Sequence, residues 1–270
     1  MVFRVLSIAG SDSGGGAGIQ ADLKTITAYG GHGMTAVTAI TAQNTLGVTG
    51  IQAVDTAIIV QQMEAVFDDI GVDAVKIGML ASPEIVYTVA DVLKRYRPKH
   101  IVLDPVLIAT SGASLGGSDT GRAIIDAFTG LATVITPNLF EAGVLLERNV
   151  ADVADMQAAA RDLAMQMSAA VLVKGGHLLG QEIVDQLVYP QNDQWQELSY
   201  CHPKIQTNNT HGTGCTLSTA IACELAQNRS LNDAVGGAIE YLQGALTAAK
   251  DLKLGQGPGC LWHMHPHLKA

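Results

Sequence analysis

The sequence predicts an α/β fold in which helices cover both faces of a mostly parallel sheet. Short apolar runs rich in β-branched residues alternate along the 270 residues with longer runs whose apolar residues recur every three or four positions. Strands that alternate with helices favour parallel pairing and a covered sheet. Hydrophobic residues make up 48% of the chain, and neither a repeat nor a Ser/Pro-rich linker divides it. We therefore expect one domain, residues 1–270.

The first half of the chain predicts three strands, each followed by a helix. The strands are "FRVLSIAG", "MTAVTAITAQ" and "DAVKIGML", and the helices are "GIQADLKTITAYG", "TAIIVQQMEAVFDDI" and "SPEIVYTVADVLKRY". In the first helix Ile19, Leu23 and Ile26 share one face. Ser82 as N-cap and Pro83 at the first helical position mark the start of the third.

The second half predicts three more parallel strands, one hairpin and three helices. The strands are "HIVLDP", "ATVITPN" and "AAVLVKGG", and the helices span about 156–167, 213–226 and 231–252. The segments "EIVDQLVYP" and "QWQELSY", joined by a polar turn, indicate a hairpin, which we expect to be the one antiparallel feature.

Composition narrows the function classes. The net charge of −9 argues against a nucleic-acid groove but leaves room for a small anionic substrate. The N-terminal apolar run is too short for a signal peptide, and the uncharged stretch 25–54 is too polar for a membrane span. The four cysteines form no C-x-x-C pair, so we expect free thiols and a cytoplasmic protein. Residues 263–267, "HMHPH", could bind a metal ion, but a flexible polar C-terminus is the favoured interpretation.

Ligands of such sheets bind outside the carboxyl ends of the strands. The segments that follow the predicted strands are "GSDSGGGAG", "GML", "DPVLIATSG", "PNLFE" and "KGGH". Glycines, acids and a lysine therefore converge at one edge of the sheet, which indicates a binding site there.

Two glycine-rich segments invite a phosphate-binding interpretation. "GAGIQA" at 16–21 matches the loose dinucleotide pattern, but the expected acid after the second strand is missing, and a plain strand-to-helix turn is the alternative. "THGTGCTLSTAIA" is the stronger signal. The first N–H groups of a helix lack internal partners, and glycines let an anion approach them; a simple capped helix would need only one polar residue.

Cys215 lies at that helix start, where the helix end favours the thiolate and lowers the pKa of a thiol. We therefore expect a reactive thiolate, with a small buried side chain as the alternative. Cys201, Cys223 and Cys260 lie on no such loop, and we expect them to be structural.

The motifs "IAGSDSGGGAGIQADLKT", "TAQNTLGV", "DAVKIGML", "VLDPVLIATSG", "ITPNLFEA", "VLVKGGH" and "NTHGTGCTLS" resemble, in order and spacing, the hydroxymethylpyrimidine/phosphomethylpyrimidine kinases of thiamine biosynthesis. The resemblance runs from about Ile8 to the C-terminus. It implies a ribokinase-like three-layer α/β/α sandwich with a mostly parallel central sheet. It also implies a homodimer; the expectations of a cytoplasmic protein that binds neither nucleic acid nor membrane rest on the composition. The implied reaction phosphorylates 4-amino-5-hydroxymethyl-2-methylpyrimidine twice, with ATP and Mg²⁺, first to the monophosphate and then to the diphosphate.

The resemblance also implies roles for individual residues. Those expected to bind the pyrimidine are Asp22 and Gln43, by hydrogen bonds, and Gly10, Met79 and Val106, which line its pocket. Those expected to bind ATP are Lys174, Asn138 and Thr210, and those expected to hold Mg²⁺ are Glu141 and Asn138, assisted by Asp104. The expected catalytic residues are Gly212, Thr213 and Gly214 as the anion hole and Cys215 as the base.

Plainer interpretations of these residues stay open at this point. Asn138 could cap a helix, Glu141 could be a solvated side chain, Gln43 could bond a strand-end backbone group, and Asp22 could pair with Lys24. A pyridoxal or pyridoxine kinase is the alternative within the same class of enzyme. A nucleotide-binding regulatory protein without turnover is the alternative from another class, although it predicts damage to "GTGC" or "NLFE", and both are intact.

Overall fold

A computed structural model describes residues 2–107, 118–176, 178 and 180–267. The predicted loop residues 108–112 and His177 lie outside them. Within the described residues the chain forms nine strands, eight α-helices and a short 3₁₀ helix at His265–His267. The strands are β1 (Arg4–Asp12), β2 (His32–Asn44), β3 (Gly47–Ala53), β4 (Ala74–Ile77), β5 (Ile101–Leu103), β6 (Val134–Ile135), β7 (Ala170–Val173), β8 (Glu182–Gln191) and β9 (Gln194–Pro203). The helices are α1 (Gly18–Ala28), α2 (Thr56–Asp69), α3 (Pro83–Tyr96), α4 (Ser118–Phe128), α5 (Leu139–Leu145), α6 (Val153–Met167), α7 (Thr213–Ala226) and α8 (Leu231–Ala249).

The strands form one sheet in the order β3-β2-β1-β4-β5-β6-β7-β8-β9. The six neighbouring strands β2-β1-β4-β5-β6-β7 are all parallel. Antiparallel pairs occur at both ends of the sheet, where β3 joins β2 and where β8 and β9 follow β7. The expectation of a single antiparallel feature is therefore wrong. The missed strand β3 has mostly exposed side chains, so it lacks the buried alternation by which a strand is recognised in a sequence.

Two apolar cores, one on each face of the sheet, make the three layers. On one face Ile8, Ile77 and Leu103 pack with residues of α2 to α6. On the other face Val102 and Leu172 pack with residues of α1, α7 and α8. Side chains that alternate along the strands thus pack into both cores. The prediction of a three-layer α/β/α sandwich is confirmed.

The predicted start signals of α3 and α7 are also observed. Ser82 caps α3, with its hydroxyl accepting the N–H of Ile85, and Pro83 is the first helical residue. Helix α7 begins at Thr213, as the glycine pattern predicts, and packs across β1, β4 and β5. That packing places its N-terminus at the carboxyl edge of the sheet.

Two of the C-terminal histidines pack against the domain, His263 buried and His265 half-buried, so the expectation of a flexible tail is wrong for this part of the segment. His263 is buried, its ring nitrogen lies 3.0 Å from the hydroxyl of Thr216, and burial lowers its pKa to about 4. The hydroxyl of Tyr241 donates to its carbonyl. Among the described residues no cluster of three or more His, Cys, Asp or Glu side chains is arranged to hold a metal ion. No helix in the described part of the chain is long and apolar enough to span a bilayer.

Candidate active site

A cavity of about 1010 Å³ opens at the carboxyl ends of the parallel strands, where the sequence predicts the site. It extends from the ends of β1, β2 and β4, across the N-terminus of α7, to β7, β8, β9 and α8. The predicted site residues that line it are Gly10, Gln43, Met79, Asp104, Val106, Asn138, Glu141, Lys174, Thr210, Gly212, Thr213, Gly214 and Cys215. Asp22 is the one predicted site residue outside this lining.

The N-terminus of α7 is built as an anion site. Gly212, the N-cap, has a left-handed backbone (φ 88°), and a Cβ there would overlap the carbonyl oxygen of Gly16. No side chain caps the helix. The N–H of Thr213 reaches the carbonyl of Thr210 at 3.3 Å, whereas no hydrogen bond within the described residues uses those of Gly214 and Cys215. Two N–H groups at the positive end of α7 are thus free to bind an anion from the cavity.

The thiol of Cys215 differs from the sequence expectation. Burial raises its pKa to about 11; Lys76 and the N–H of Gly18 lower it, but the carboxylates of Asp22 and Asp104 raise it further. The expected low pKa from the helix end is therefore wrong, because desolvation and two nearby negative charges outweigh the helix dipole. With a pKa of about 11, the thiol is protonated at neutral pH.

A lysine and two carboxylates meet opposite the helix end. The ammonium of Lys174 lies 2.7 Å from Oδ1 of Asp104 and 4.0 Å from Oε2 of Glu141. The hydroxyl of Thr136 also donates to Asp104, at 3.2 Å. That of Ser218, which donates to the carbonyl of Gly214 at 2.9 Å, lies 3.4 Å from Oδ2 of Asp104. Burial raises the pKa of Glu141 to about 7; Lys174 lowers it and the charge of Asp104 raises it. One lysine thus faces two acids, an arrangement that can accept a further positive charge.

The motif N-x-x-E forms a capping box at the start of α5. The side chain of Asn138 accepts the N–H of Glu141 at 2.9 Å, and Oε2 of Glu141 accepts the N–H of Asn138 at 2.8 Å. The interpretation of Asn138 as a helix cap is therefore confirmed, while that of Glu141 as a solvated side chain is wrong, because Glu141 is buried. The cap holds the Glu141 carboxylate at the cavity.

The other end of the cavity combines an amide with apolar side chains. Gln43 lies at the end of β2, with Oε1 3.1 Å from the hydroxyl of Thr41. Met79 is fixed by its carbonyl, which accepts the hydroxyl of Thr38 at 2.6 Å. A Cβ on Gly10 would lie only 2.6 Å from Cε of Met79, so glycine leaves room for the thioether. This end suits a flat ring with polar edge groups.

Asp22 lies outside the lining of the cavity, so its role as a pyrimidine ligand stays a prediction without support from this geometry. Its side chain is fully buried, and both carboxylate oxygens lie 2.9 Å from the ammonium of the equally buried Lys76. The hydroxyls of Ser7 and Thr219 donate to it at 2.6 and 2.7 Å. Its partner is therefore Lys76 rather than the suggested Lys24, whose ammonium bonds the carbonyl of Gly15.

Asp12 and His211 form a second pair that the sequence arguments missed. Nε2 of His211 lies 2.9 Å from Oδ2 of Asp12 and 3.4 Å from the amide nitrogen of Gln43. Backbone N–H groups of Gly14, Gly16 and Ala17 also donate to Asp12. Burial raises the pKa of Asp12, but these donors together bring it below its ordinary value. The pair joins the loop after β1 to the anion site; the His beside "GTGC" was the only signal in the sequence.

Comparison with known proteins agrees with this geometry. The family model described as phosphomethylpyrimidine kinase matches residues 12–262. The hydroxymethylpyrimidine/phosphomethylpyrimidine kinase of Rhizobium meliloti is 49% identical, over 98% of each chain. Phosphomethylpyrimidine kinase from Clostridium difficile superposes with a TM-score of 0.77 at 41% identity, over 90% of this chain and 99% of that one. Pyridoxal kinase from Bacillus subtilis, in its ADP complex, superposes with a TM-score of 0.88 at 35% identity over all of both chains.

The family model and the Rhizobium meliloti enzyme both match nearly the whole chain. The open helix N-terminus, the lysine and the two acids described above lie together in one cavity. The chain belongs to the phosphomethylpyrimidine kinase family.

Proposed function

We propose that this chain transfers a phosphoryl group from ATP to the hydroxymethyl group of 4-amino-5-hydroxymethyl-2-methylpyrimidine, and then a second one to the resulting monophosphate, in thiamine biosynthesis. The observation that carries the proposal is the free N-terminus of α7, which shares one cavity with Lys174 on one side and with Gln43 and Met79 on the other. A phosphoryl group in transfer needs positive charge and N–H donors around it, and little else.

The predicted site residues of the cavity divide the tasks of this reaction among them. Gln43 bonds the aminopyrimidine edge, and Gly10, Met79 and Val106 enclose the ring. The N–H groups of Gly214 and Cys215 bind the transferred phosphoryl group, and Lys174 neutralises charge on the nucleotide. Cys215 accepts the alcohol proton in the first step; Lys76 favours its ionised form.

We also propose that Mg²⁺ acts beside Lys174. The donor set fits this ion, which prefers oxygen ligands and usually takes one or two carboxylates together with phosphates and water. Glu141 and Asp104 would hold it, directly or through water, while the amide oxygen of Asn138 is already used as a helix cap. The ion would supply charge neutralisation for the phosphates and offset the carboxylate charge that opposes ionisation of Cys215.

Glu141→Gln tests the magnesium assignment. The variant should require more Mg²⁺ for half-maximal activity and turn over more slowly, with pyrimidine affinity nearly unchanged. Glu84→Gln, an exposed acid on α3, is the matched control. An unchanged Mg²⁺ titration of Glu141→Gln would remove the assignment.

Pyridoxal is the second candidate acceptor, since a pyridoxal kinase shares the whole fold at 35% identity. Initial rates with hydroxymethylpyrimidine, its monophosphate and pyridoxal, measured side by side with ATP and Mg²⁺, decide between them. The proposal requires that both pyrimidines exceed pyridoxal in kcat/KM. A higher kcat/KM for pyridoxal would replace it.

Two further parts of the proposal concern the state of the protein in the cell. We propose a homodimer, supported by the large apolar side chains that β2 and β3 leave exposed, including Ile40 and Ile51. Light scattering coupled to gel filtration should give twice the chain mass of 28.2 kDa. We also propose a cytoplasmic location, supported by four free cysteines and no disulfide among them.

A further inference from the structure

A chain of three polar side chains lies in the cavity and has no task in the chemistry above. Asp185 on β8, His202 on β9 and Gln243 on α8 all line the cavity. Oδ1 of Asp185 accepts the N–H of Gly175 at 2.8 Å, and its Oδ2 lies 3.0 Å from Nε2 of His202. Nδ1 of His202 lies 2.9 Å from the amide nitrogen of Gln243.

For a neutral His202, the chemistry of these groups gives each hydrogen bond a direction. An ionised carboxylate only accepts, so Nε2 of His202 carries the hydrogen that it donates to Asp185. In the neutral ring Nδ1 is then an acceptor, and Gln243 must offer it an N–H. The carbonyl oxygen Oε1 of Gln243 is left over, and no hydrogen bond within the described residues uses it. The triad therefore presents a hydrogen-bond acceptor of fixed orientation in the wall of the cavity.

The surroundings of this acceptor suit a flat aromatic base. The apolar side chains of Ile205, Leu242 and Leu246 line the same part of the cavity. Gly175, which Asp185 anchors, directly follows Lys174, so this part begins where the nucleotide phosphates are proposed to bind. The amide of Gln43, at the end of β2, lies toward the opposite end of the strand order from β8 and β9.

We propose that Gln243, oriented by His202 and Asp185, selects a nucleotide whose base carries an exocyclic amine, as adenine does, over one with a keto oxygen at that place. The inference rests on the proposed function, because it takes this cavity to hold the phosphoryl donor. An amine at position 6 donates to Oε1. A keto oxygen there sets two acceptors against each other and leaves both without a donor, which should cost roughly 10- to 100-fold in affinity.

ATP and inosine triphosphate test the proposal, since hypoxanthine has a keto oxygen in place of the 6-amine of adenine and carries a hydrogen on N1. The wild type should favour ATP by about 10- to 100-fold in kcat/KM. Gln243→Leu should raise the KM for ATP toward that for inosine triphosphate, with kcat little changed. His202→Phe frees the amide to turn its N–H groups to the base, so the preference should fall and inosine triphosphate should improve. Gln166→Leu, an exposed glutamine on α6, is the control for the same substitution.

Calorimetry with ADP and inosine diphosphate separates this inference from the proposed function, because it needs no turnover. Tighter binding of ADP, reduced by Gln243→Leu, supports the inference even if no pyrimidine is phosphorylated. Equal affinity of the wild type for the two nucleotides, or equal losses for both in Gln243→Leu, would overturn it. So would failure of both nucleotides to bind.

Discussion

The buried pair of Lys76 and Asp22 offers a quantitative test of how this site is held together. Both side chains are fully buried, with the ammonium 2.9 Å from each carboxylate oxygen. The attraction of two unit charges at this separation is about 6 kcal/mol at an effective dielectric constant of about 20. Much of it offsets the loss of water around both groups. Removal of one partner leaves the other charged and buried, and desolvation is then no longer compensated.

Lys76→Met should therefore lower the free energy of unfolding by about 3–5 kcal/mol. Among the described residues, only the hydroxyls of Ser7 and Thr219 would remain to stabilise the Asp22 carboxylate. That loss is large beside a total of about 5–15 kcal/mol for a typical domain. Asp22→Asn should cost a similar amount, because it strands the ammonium of Lys76.

Urea denaturation followed by circular dichroism, at pH 7 without ligands, measures these costs. The double variant Lys76→Met/Asp22→Asn should be more stable than the sum of the two single losses predicts, by about 2 kcal/mol or more, because it leaves no unpaired charge. The comparison also covers the case in which one single variant does not fold, since the double variant should then still fold. Additivity to within about 0.5 kcal/mol would refute the reasoning.

Three further predictions concern the cavity. Cys215→Ser should reduce kcat/KM about 10²- to 10⁴-fold for hydroxymethylpyrimidine, because its alcohol needs a base. The reduction should be only modest for the monophosphate, which is already ionised. Equal losses for the two substrates in parallel assays would make Cys215 a part of the anion hole instead. Gln43→Ala should weaken hydroxymethylpyrimidine binding by roughly 1–3 kcal/mol in calorimetry, since polar groups of the ring lose their partner, and unchanged binding would exclude the contact. The pKa of Glu141 is about 7 in the folded protein, against an ordinary value of 4.5. In metal-free buffer between pH 4.5 and 7, the folded state therefore binds a proton that the unfolded state has released. Stability should therefore fall as pH rises from about 4.5 to 7, and the fall should be smaller in Glu141→Gln; identical urea midpoints against pH for the two proteins would contradict this.

Much of the fold follows from local patterns, and the failures have local causes. The start of α7 was predicted at the correct residue because glycine, threonine and an apolar run coincide there. Strand β3 was missed because it packs at an edge with its side chains mostly exposed, and α5 because its seven residues are too short for a helical period to show. Cavity residues such as Gln43 could be placed because the carboxyl ends of parallel strands share one edge.

The charges of the site could not be predicted in the same way. Asp22 on α1 and Lys76 on β4 are 54 positions apart. They meet because α1 packs on β1 and β1 pairs with β4. The pKa of Cys215 was predicted from the helix end alone. Burial and the two carboxylates near the thiol depend on strands far away in the sequence, so a local argument gave the wrong sign.

Helix α7 contacts two charge pairs, Lys174 with Asp104 and Lys76 with Asp22. One turn after Cys215, the hydroxyl of Ser218 lies 3.4 Å from Asp104, and that of Thr219 donates to Asp22 at 2.7 Å. Adjacent residues of α7 thus meet one acid at the end of β5 and one on α1, which holds the helix at two points. In the proposed reaction the free N–H groups would then face the phosphoryl group without rearrangement, as electrostatic stabilisation of a transition state requires. Lys76 and Asp22, which do not line the cavity, would thus contribute to the geometry of that reaction.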